Sequence, residues 1–238
     1  MHPGSIPGEA SNFYLRQFMV DFTQARRMMV DCQLRTFDVN DIPLLDAMDD
    51  VPRERFVLPG REELAYIDQD LLVGDGAEQR FMMTPMVLAR LIQALDVEAG
   101  DKVLDVACGR GYSSAVLARL GASVTALESD PALADTAKQC LSAVGAEGVI
   151  VEAGPLDQGW AGWAPYDAIL VNGALEVRPD HLLQQLAEGG RLVCVKGRGR
   201  AARATIYVRS GETFGERTLF DAAAPLLPAF QLKPGFTF

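Results

Sequence analysis

The segment VLDVACGRGYSSAVLARLGASVTALESD, residues 103–130, concentrates the residues that could do chemistry. It sets one acid, Asp105, ahead of a short loop, Ala107-Cys108-Gly109-Arg110-Gly111, and a second acid, Glu128, near its far end. Two glycines in so short a loop admit backbone conformations and close approaches that a Cβ forbids. A carboxylate at the tip of a second strand can accept hydrogen bonds from both hydroxyls of a ribose. Ligands of open α/β sheets bind outside the carboxyl ends of the strands, where the strand order reverses. The combination predicts a cofactor containing adenosine. A dinucleotide fingerprint would place glycine where this chain has Ala107 and Ser114, so a pyrophosphate cradle is incomplete. Asp105, two residues before the loop, suits the α-ammonium group of S-adenosylmethionine, which has no pyrophosphate to hold. A dinucleotide site, and a plain β–α turn with a solvated glutamate, stand as the competing readings.

The elements around this segment must position it. Short apolar runs at 102–107, 123–128, 148–153, 166–171 and 191–196 read as strands. Helical stretches alternate with them at 112–120, 131–144 and 179–187. Strands alternating with helices predict right-handed βαβ units and a parallel sheet covered on both faces. Residues 204–210 and 214–221 flank Gly211 and read as a closing antiparallel hairpin. The fold class is therefore α/β, a doubly wound and mostly parallel sheet with an antiparallel C-terminal hairpin and an N-terminal helical cap. In the cap, apolar spacing predicts a helix from Phe13 to about Leu34 and a short one at 42–48. Residues 51–60 read as turn-rich and 66–84 as irregular. Thr84 and Pro85 have the types of an N-cap and a first helical residue. The expected organisation is a flexible tail at 1–12, a cap and substrate loop at 13–84, and a cofactor-binding domain at 85–238 that forms one compact unit with the cap.

Composition narrows the function. The 238 residues are 49% hydrophobic and 23% charged, ordinary for a globular chain. Lys plus Arg is 22 against 32 Asp plus Glu, a formal charge of −10, which disfavours nucleic acid because binding a polyanion rests on surplus cations. Four scattered cysteines and two histidines, His2 and His181, offer no clustered metal ligands, so no metal site is expected. The cysteines read as buried free thiols of a reducing compartment. MHPGSIPGEAS lacks the basic and apolar regions of a secretory signal, and no apolar run is long enough to cross a membrane. A cytoplasmic protein without membrane contact is expected.

Three further stretches carry a resemblance: MMVDCQLR at 28–35, LLDAMDDVPRERFVLP at 44–59 and AYIDQDLLVGDG at 65–76. With the glycine loop, Asn172 and QLAEGGRLV at 185–193, they are similar to the protein-L-isoaspartate (D-aspartate) O-methyltransferases over roughly residues 26–196. The resemblance implies methylation of the isoaspartyl or D-aspartyl carboxylate in damaged proteins, the first step of a repair cycle, with S-adenosylmethionine as donor. It implies cofactor contacts at Asp105, Ala107, Gly109, Gly111, Glu128, Ser129, Gly154 and Asn172, with Glu128 on the ribose and Asp105 toward the methionyl ammonium. The partner implied is a protein or peptide with abnormal aspartyl residues; the oligomeric state is left open.

The chain departs from the family twice. Met83 stands in FMMTP (81–85) where the family carries a functionally important serine, and GDGAEQR (74–80) is the longer loop before it. Gly154-Pro155-Leu156 replaces the family's Gly-Asp-Gly, passing a side-chain role to backbone or Asp157. These departures leave two alternatives open: the same scaffold methylating another carboxylate or a small molecule, and a cofactor-binding interaction protein without turnover. The catalytic residue is left unassigned, with Asp68 and Thr84 as candidates beside Met83. Met82 and Met83 read as core or as the lining of an acceptor pocket, Arg53 and Arg55 as a solvated face or a contact for an acidic peptide. His181 reads as a surface residue. A hydroxyl or ammonium acceptor needs a base, and the cofactor-binding half offers only that histidine. A carboxylate acceptor, with a pKa near 4, needs none.

Overall fold

The computed structural model describes residues 20–232. The expected tail at 1–12 and the first part of the helix expected from Phe13 lie outside the described residues.

The cap is built from short helices with side-chain caps. In α1 (Phe22–Met29) the Asp21 carboxylate accepts from the Gln24 N–H at 3.1 Å, satisfying a donor that the first turn leaves free. The helix does not run regularly to Leu34 as expected. It widens into a π-turn over Val30–Leu34, then tightens at Arg35–Phe37 and stops at Asp38 in the left-handed conformation. The widened turn keeps Met29, Val30 and Leu34 on the buried side. In α2 (Ile42–Asp50) Asp41 caps the Leu44 N–H, and Leu44, Leu45, Ala47 and Met48 face inward. A 3-10 turn, Arg53–Phe56, follows.

Residues 66–84 are not irregular. They hold an antiparallel ribbon, β1 (Leu71–Asp75) with β2 (Gln79–Met82). Strand alternation explains it: Val73 and Arg80 are buried while their chain neighbours are more exposed, and Met82 is buried next to the less buried Phe81. The charged Arg80 on the inward face conceals this pattern. Thr84 then caps α3 (Pro85–Leu95), its hydroxyl accepting from the Val87 N–H at 3.3 Å with Pro85 at the first position.

A seven-stranded sheet has the order β5-β4-β3-β6-β7-β8-β9. Its strands are β3 (Lys102–Val106), β4 (Ser123–Glu128), β5 (Ile150–Ala153), β6 (Tyr166–Leu175), β7 (Leu186–Lys196), β8 (Arg203–Ser210) and β9 (Thr213–Asp221). The first five pair in parallel, and β8 and β9 join antiparallel as the expected hairpin. Helices α4 (Tyr112–Arg119) and α5 (Pro131–Ser142) cross over between β3, β4 and β5. The helix expected at 179–187 is only α6 (Asp180–Leu183). Leu186 is already in β7, paired with Tyr166; its burial beside Leu182 and Leu183 mimics a helical spacing. Strand β6 also runs past the expected 171, with a register shift between Leu170 and Ala174, and so holds Asn172 within the sheet. One hydrophobic cluster extends from Met29 through Met83 and Val103 to Val195, joining cap and sheet. Cys108, Cys140 and Cys194 are buried as expected, whereas Cys32 is exposed.

Candidate active site

Strand order reverses between β3 and β6, and the glycine loop leaves the carboxyl end of β3 at that point. The loop alternates left-handed residues: Ala107 at φ 59°, Gly109 at φ 59° and Gly111 at φ 94°. Glycine adopts this conformation freely, while alanine at 107 is held there against a penalty of about 1–2 kcal/mol. The two glycines serve different neighbours. A Cβ at Gly109 would lie 3.2 Å from Val73 Cγ2 of the ribbon, and one at Gly111 would lie 3.0 Å from Leu141 of α5. Gly111 thus lets α4 begin against α5; the ribbon, not an open space, faces Gly109.

Asp105 and Glu128 are both wholly buried. Asp105 Oδ2 accepts from the Ser113 hydroxyl at 2.7 Å and from the Ser114 hydroxyl, and Oδ1 from the Asn172 amide at 2.5 Å. Burial raises its pKa to about 6 and these neutral donors restrain the rise. Asp105 therefore stands behind Ser113 and Asn172, which line the cavity in its place.

Glu128 is held by a cation. Arg80 Nε lies 3.1 Å from both carboxylate oxygens and Nη2 lies 3.0 Å from Oε1. The N–H groups of Gly109 and Ser129 donate to the same carboxylate at 3.0 and 2.8 Å, and Arg80 also reaches the Ser129 hydroxyl at 2.9 Å. The carboxylate expected to grip a sugar is occupied by a residue of the ribbon. Gly154 lies near the end of β5, its N–H donating to the Glu128 carbonyl, with the Trp160 ring 3.3 Å from where a Cβ would be.

Between loop, ribbon and cap is a cavity of about 10 Å³, room for a single water. Met82, Met83, Phe56, Tyr112 and Cys108 line it, so Met83 is packed into the core and also borders the cavity. Burial pushes the Cys108 thiol well above its ordinary pKa and raises the Tyr112 phenol. Neither takes up a proton at neutral pH. Thr84 is committed to capping α3, and its N–H donates to Asp70 at 3.1 Å. Asp68 is exposed. Tyr66 is the anchored member of its motif, donating to the Glu54 carboxylate. His181 is exposed as expected.

Two arginines occupy places that the sequence does not predict: it assigns no role to Arg80, and Arg53 reads there as a solvated face or a contact for an acidic peptide. Arg53 is fully buried, not solvated, with Nε on the Ala65 carbonyl at 2.8 Å and Nη2 on the Met83 carbonyl at 2.7 Å. Its flanking Val51, Phe56 and Val57, all buried, are the signal that could have found it. Arg80 had a similar signal in the alternation with Met82.

Residues 25–218 match the profile of the family described as protein-L-isoaspartate(D-aspartate) O-methyltransferase. The chain is 39% identical over 193 residues to protein-L-isoaspartate O-methyltransferase 1 of Syntrophobacter fumaroxidans, covering 81% of this chain and 88% of that one. It is 41% identical over 181 residues to protein-L-isoaspartate O-methyltransferase of a Picosynechococcus species, covering 76% and 80%. A solved protein-L-isoaspartate O-methyltransferase shares the fold at TM-score 0.76 and 24% identity, over 85% of this chain and 65% of that one. A Plasmodium falciparum structure, titled a putative enzyme of this type in complex with S-adenosyl-L-homocysteine, does so at TM-score 0.68 and 19% identity, over 89% and 100%. By profile and identity alike, this chain belongs to the protein-L-isoaspartate (D-aspartate) O-methyltransferase family.

Proposed function

We propose that this chain is an S-adenosylmethionine-dependent O-methyltransferase acting on the carboxylate of isoaspartyl or D-aspartyl residues in damaged proteins. Family membership supports the reaction class. The observation that carries the choice of acceptor is the cavity wall. Among the described residues lining it, none takes a proton at neutral pH: Cys108 and Tyr112 hold theirs, and Asp105 lies behind Ser113 and Asn172. An acceptor that is already an anion suits such a wall.

The side chains present fit the cofactor in kind. Glu128 would hold the ribose hydroxyls with Ser129 beside it, and Asp105 would act on the methionyl ammonium through Ser113 and Asn172. The left-handed backbone of Ala107, Gly109 and Gly111, with Gly154 just beyond β5, would give close approach. Bound there, the cofactor supplies a methyl group already activated by its sulfonium. The protein then aligns the acceptor, a contribution worth about 7–11 kcal/mol in favourable intramolecular cases. Glu128 becomes available to a ribose only when Arg80 leaves it, so cofactor binding displaces the β1–β2 ribbon.

Residues 13–84 serve as the substrate cap and 85–238 as the cofactor domain, in one unit. No described helix is long and apolar enough to cross a membrane, in keeping with action on cytoplasmic proteins. The test is methyl transfer to an isoaspartyl peptide and to its aspartyl twin. Turnover of the isoaspartyl peptide alone is expected. Binding of S-adenosylhomocysteine without turnover of either peptide overturns the reading, in favour of another acceptor or of a binding protein that has lost turnover.

A further inference from the structure

On the cap side of the cavity, two buried donors stand together without an acceptor. Arg53 Nη1 has no hydrogen-bond partner among the described residues, although Nε and Nη2 are both engaged. The Tyr112 hydroxyl donates to no acceptor among the described residues either, and the Arg53 guanidinium close by acts on it as a donor. The guanidinium lies over the Tyr112 ring, its central carbon 4.7 Å from the ring centroid, and Tyr112 lines the cavity beside Met83. Among the described residues Asp70 is the one carboxylate that acts on Arg53, from a distance and after the two tyrosines, and its Oδ1 is taken by the Thr84 N–H. Buried polar groups are rarely left unsatisfied, and a buried cation ordinarily has an anion beside it. A guanidinium N–H and a phenol O–H side by side match the two oxygens of a carboxylate.

We propose that Arg53 Nη1 and the Tyr112 hydroxyl receive the acceptor carboxylate, holding it at the Met83 slot. The inference rests on the proposed function and adds the groups that recognise the acceptor. In the reaction one carboxylate oxygen forms a bond to the methyl carbon as the carbon–sulfur bond breaks. The bonding pair stays on sulfur, which becomes a neutral thioether, and no proton moves. The carboxylate loses its charge in that step, so donors to it bind the ground state at least as strongly as the transition state. Losing one raises KM and leaves kcat alone.

Tyr112→Phe is the decisive variant, because among the described residues the hydroxyl donates to no acceptor and interacts with the Arg53 guanidinium alone, so that its removal is expected to shift the melting temperature by no more than a few degrees. The expected result is an isoaspartyl-peptide KM raised about tenfold or more, a kcat within about twofold, and an unchanged affinity for S-adenosylhomocysteine. Direct calorimetric binding of the peptide to protein saturated with S-adenosylhomocysteine weakens equally. The methyl-ester peptide, whose carboxylate is masked, does not discriminate between variant and parent. A lost affinity for S-adenosylhomocysteine overturns the proposal by assigning the pair to the cofactor's own carboxylate, and unchanged peptide affinity overturns it outright. If the parent protein ignores the isoaspartyl peptide, the functional reading fails separately. Succinate then serves as probe: it raises the melting temperature of the S-adenosylhomocysteine complex, and does so less in Tyr112→Phe. No succinate effect in the parent overturns the carboxylate receptor as well.

Discussion

The two sides of the site treat buried charge in opposite ways. On the ribbon side, Arg80 and Glu128 are both buried and bound to each other in a forked pair, with N–H groups of Gly109 and Ser129 completing the carboxylate's contacts. On the cap side, Arg53 contacts only carbonyls and a ring, and Asp105 only neutral donors. In the closed pair each charge meets its opposite without a ligand, although Arg80 Nη1 has no hydrogen-bond partner among the described residues, and a ligand must open it. An unpaired cation and an unpaired carboxylate are held in place for partners that come from outside. Under the proposed function, the contrast assigns the ribbon side as gate to the ribose position and the cap side as receptor.

Breaking the closed pair has the largest effect. Glu128→Gln leaves the buried Arg80 with only the exposed Glu78 carboxylate, 3.6 Å away, as counter-charge, and a loss of about 3 kcal/mol in unfolding free energy is expected by denaturant titration. The double variant Arg80→Met with Glu128→Gln, which removes both charges, recovers most of it. Equal losses in single and double variants would mean that the two charges do not depend on each other. Arg80→Met alone separates gate from ligand. The two N–H groups still serve Glu128, so the stability loss falls below that figure, and the affinity for S-adenosylhomocysteine rises severalfold because no pair has to be opened first. A weaker affinity in calorimetry would make Arg80 part of the cofactor site.

The same contrast explains what was legible in the sequence. The sheet, its hairpin and the site at the β3 terminus follow from apolar runs and a glycine loop, because those signals are local. Thr84 and Pro85 cap α3 as their types require. The two arginines were not legible, since arginine in a turn ordinarily means solvent. Their burial depends on contacts distant in sequence: Arg53 with Met83, and Arg80 with Glu128. The roles of Gly109 and Gly111 were half legible. Backbone conformations closed to other residues were expected of them, whereas contact with a ribbon and with Leu141 needed the fold.

The unpaired carboxylate predicts a pH dependence. Asp105 titrates at about 6 in the fold against an ordinary value of 3.8. Between those values the folded protein keeps a proton that the unfolded chain has released. Asp105 therefore makes the fold less stable as pH rises from about 4 to 6, by roughly 3 kcal/mol in all, with no further change above. The difference in stability between the parent and Asp105→Asn, followed from pH 4 to 8, isolates this slope. Saturating S-adenosylhomocysteine flattens it if the ligand's ammonium acts on the carboxylate, since a nearby cation returns the pKa toward its usual value. A slope unaltered by the ligand would reduce Asp105 to a positioner of Ser113 and Asn172.

The smallest effect concerns the loop that joins the two sides. Gly109 touches the ribbon at Arg80 and Val73, and Tyr112 begins α4 beneath Arg53, so the 107–111 backbone sets the spacing between gate and receptor. Ala107 holds its left-handed conformation at a cost that glycine would not incur, offset by glycine's greater freedom in the unfolded chain and by one lost buried methyl. These terms nearly cancel. Ala107→Gly is expected to change stability by no more than about 1 kcal/mol, or a few degrees in melting temperature for a chain of this size. Its effect on binding is the informative one. If the strained residue pre-sets the loop, the glycine variant weakens S-adenosylhomocysteine severalfold in calorimetry, at a stability close to the parent's. Unchanged affinity would show that α4 and the ribbon alone fix the loop, and that the two sides are spaced by packing without any contribution from the backbone of Ala107.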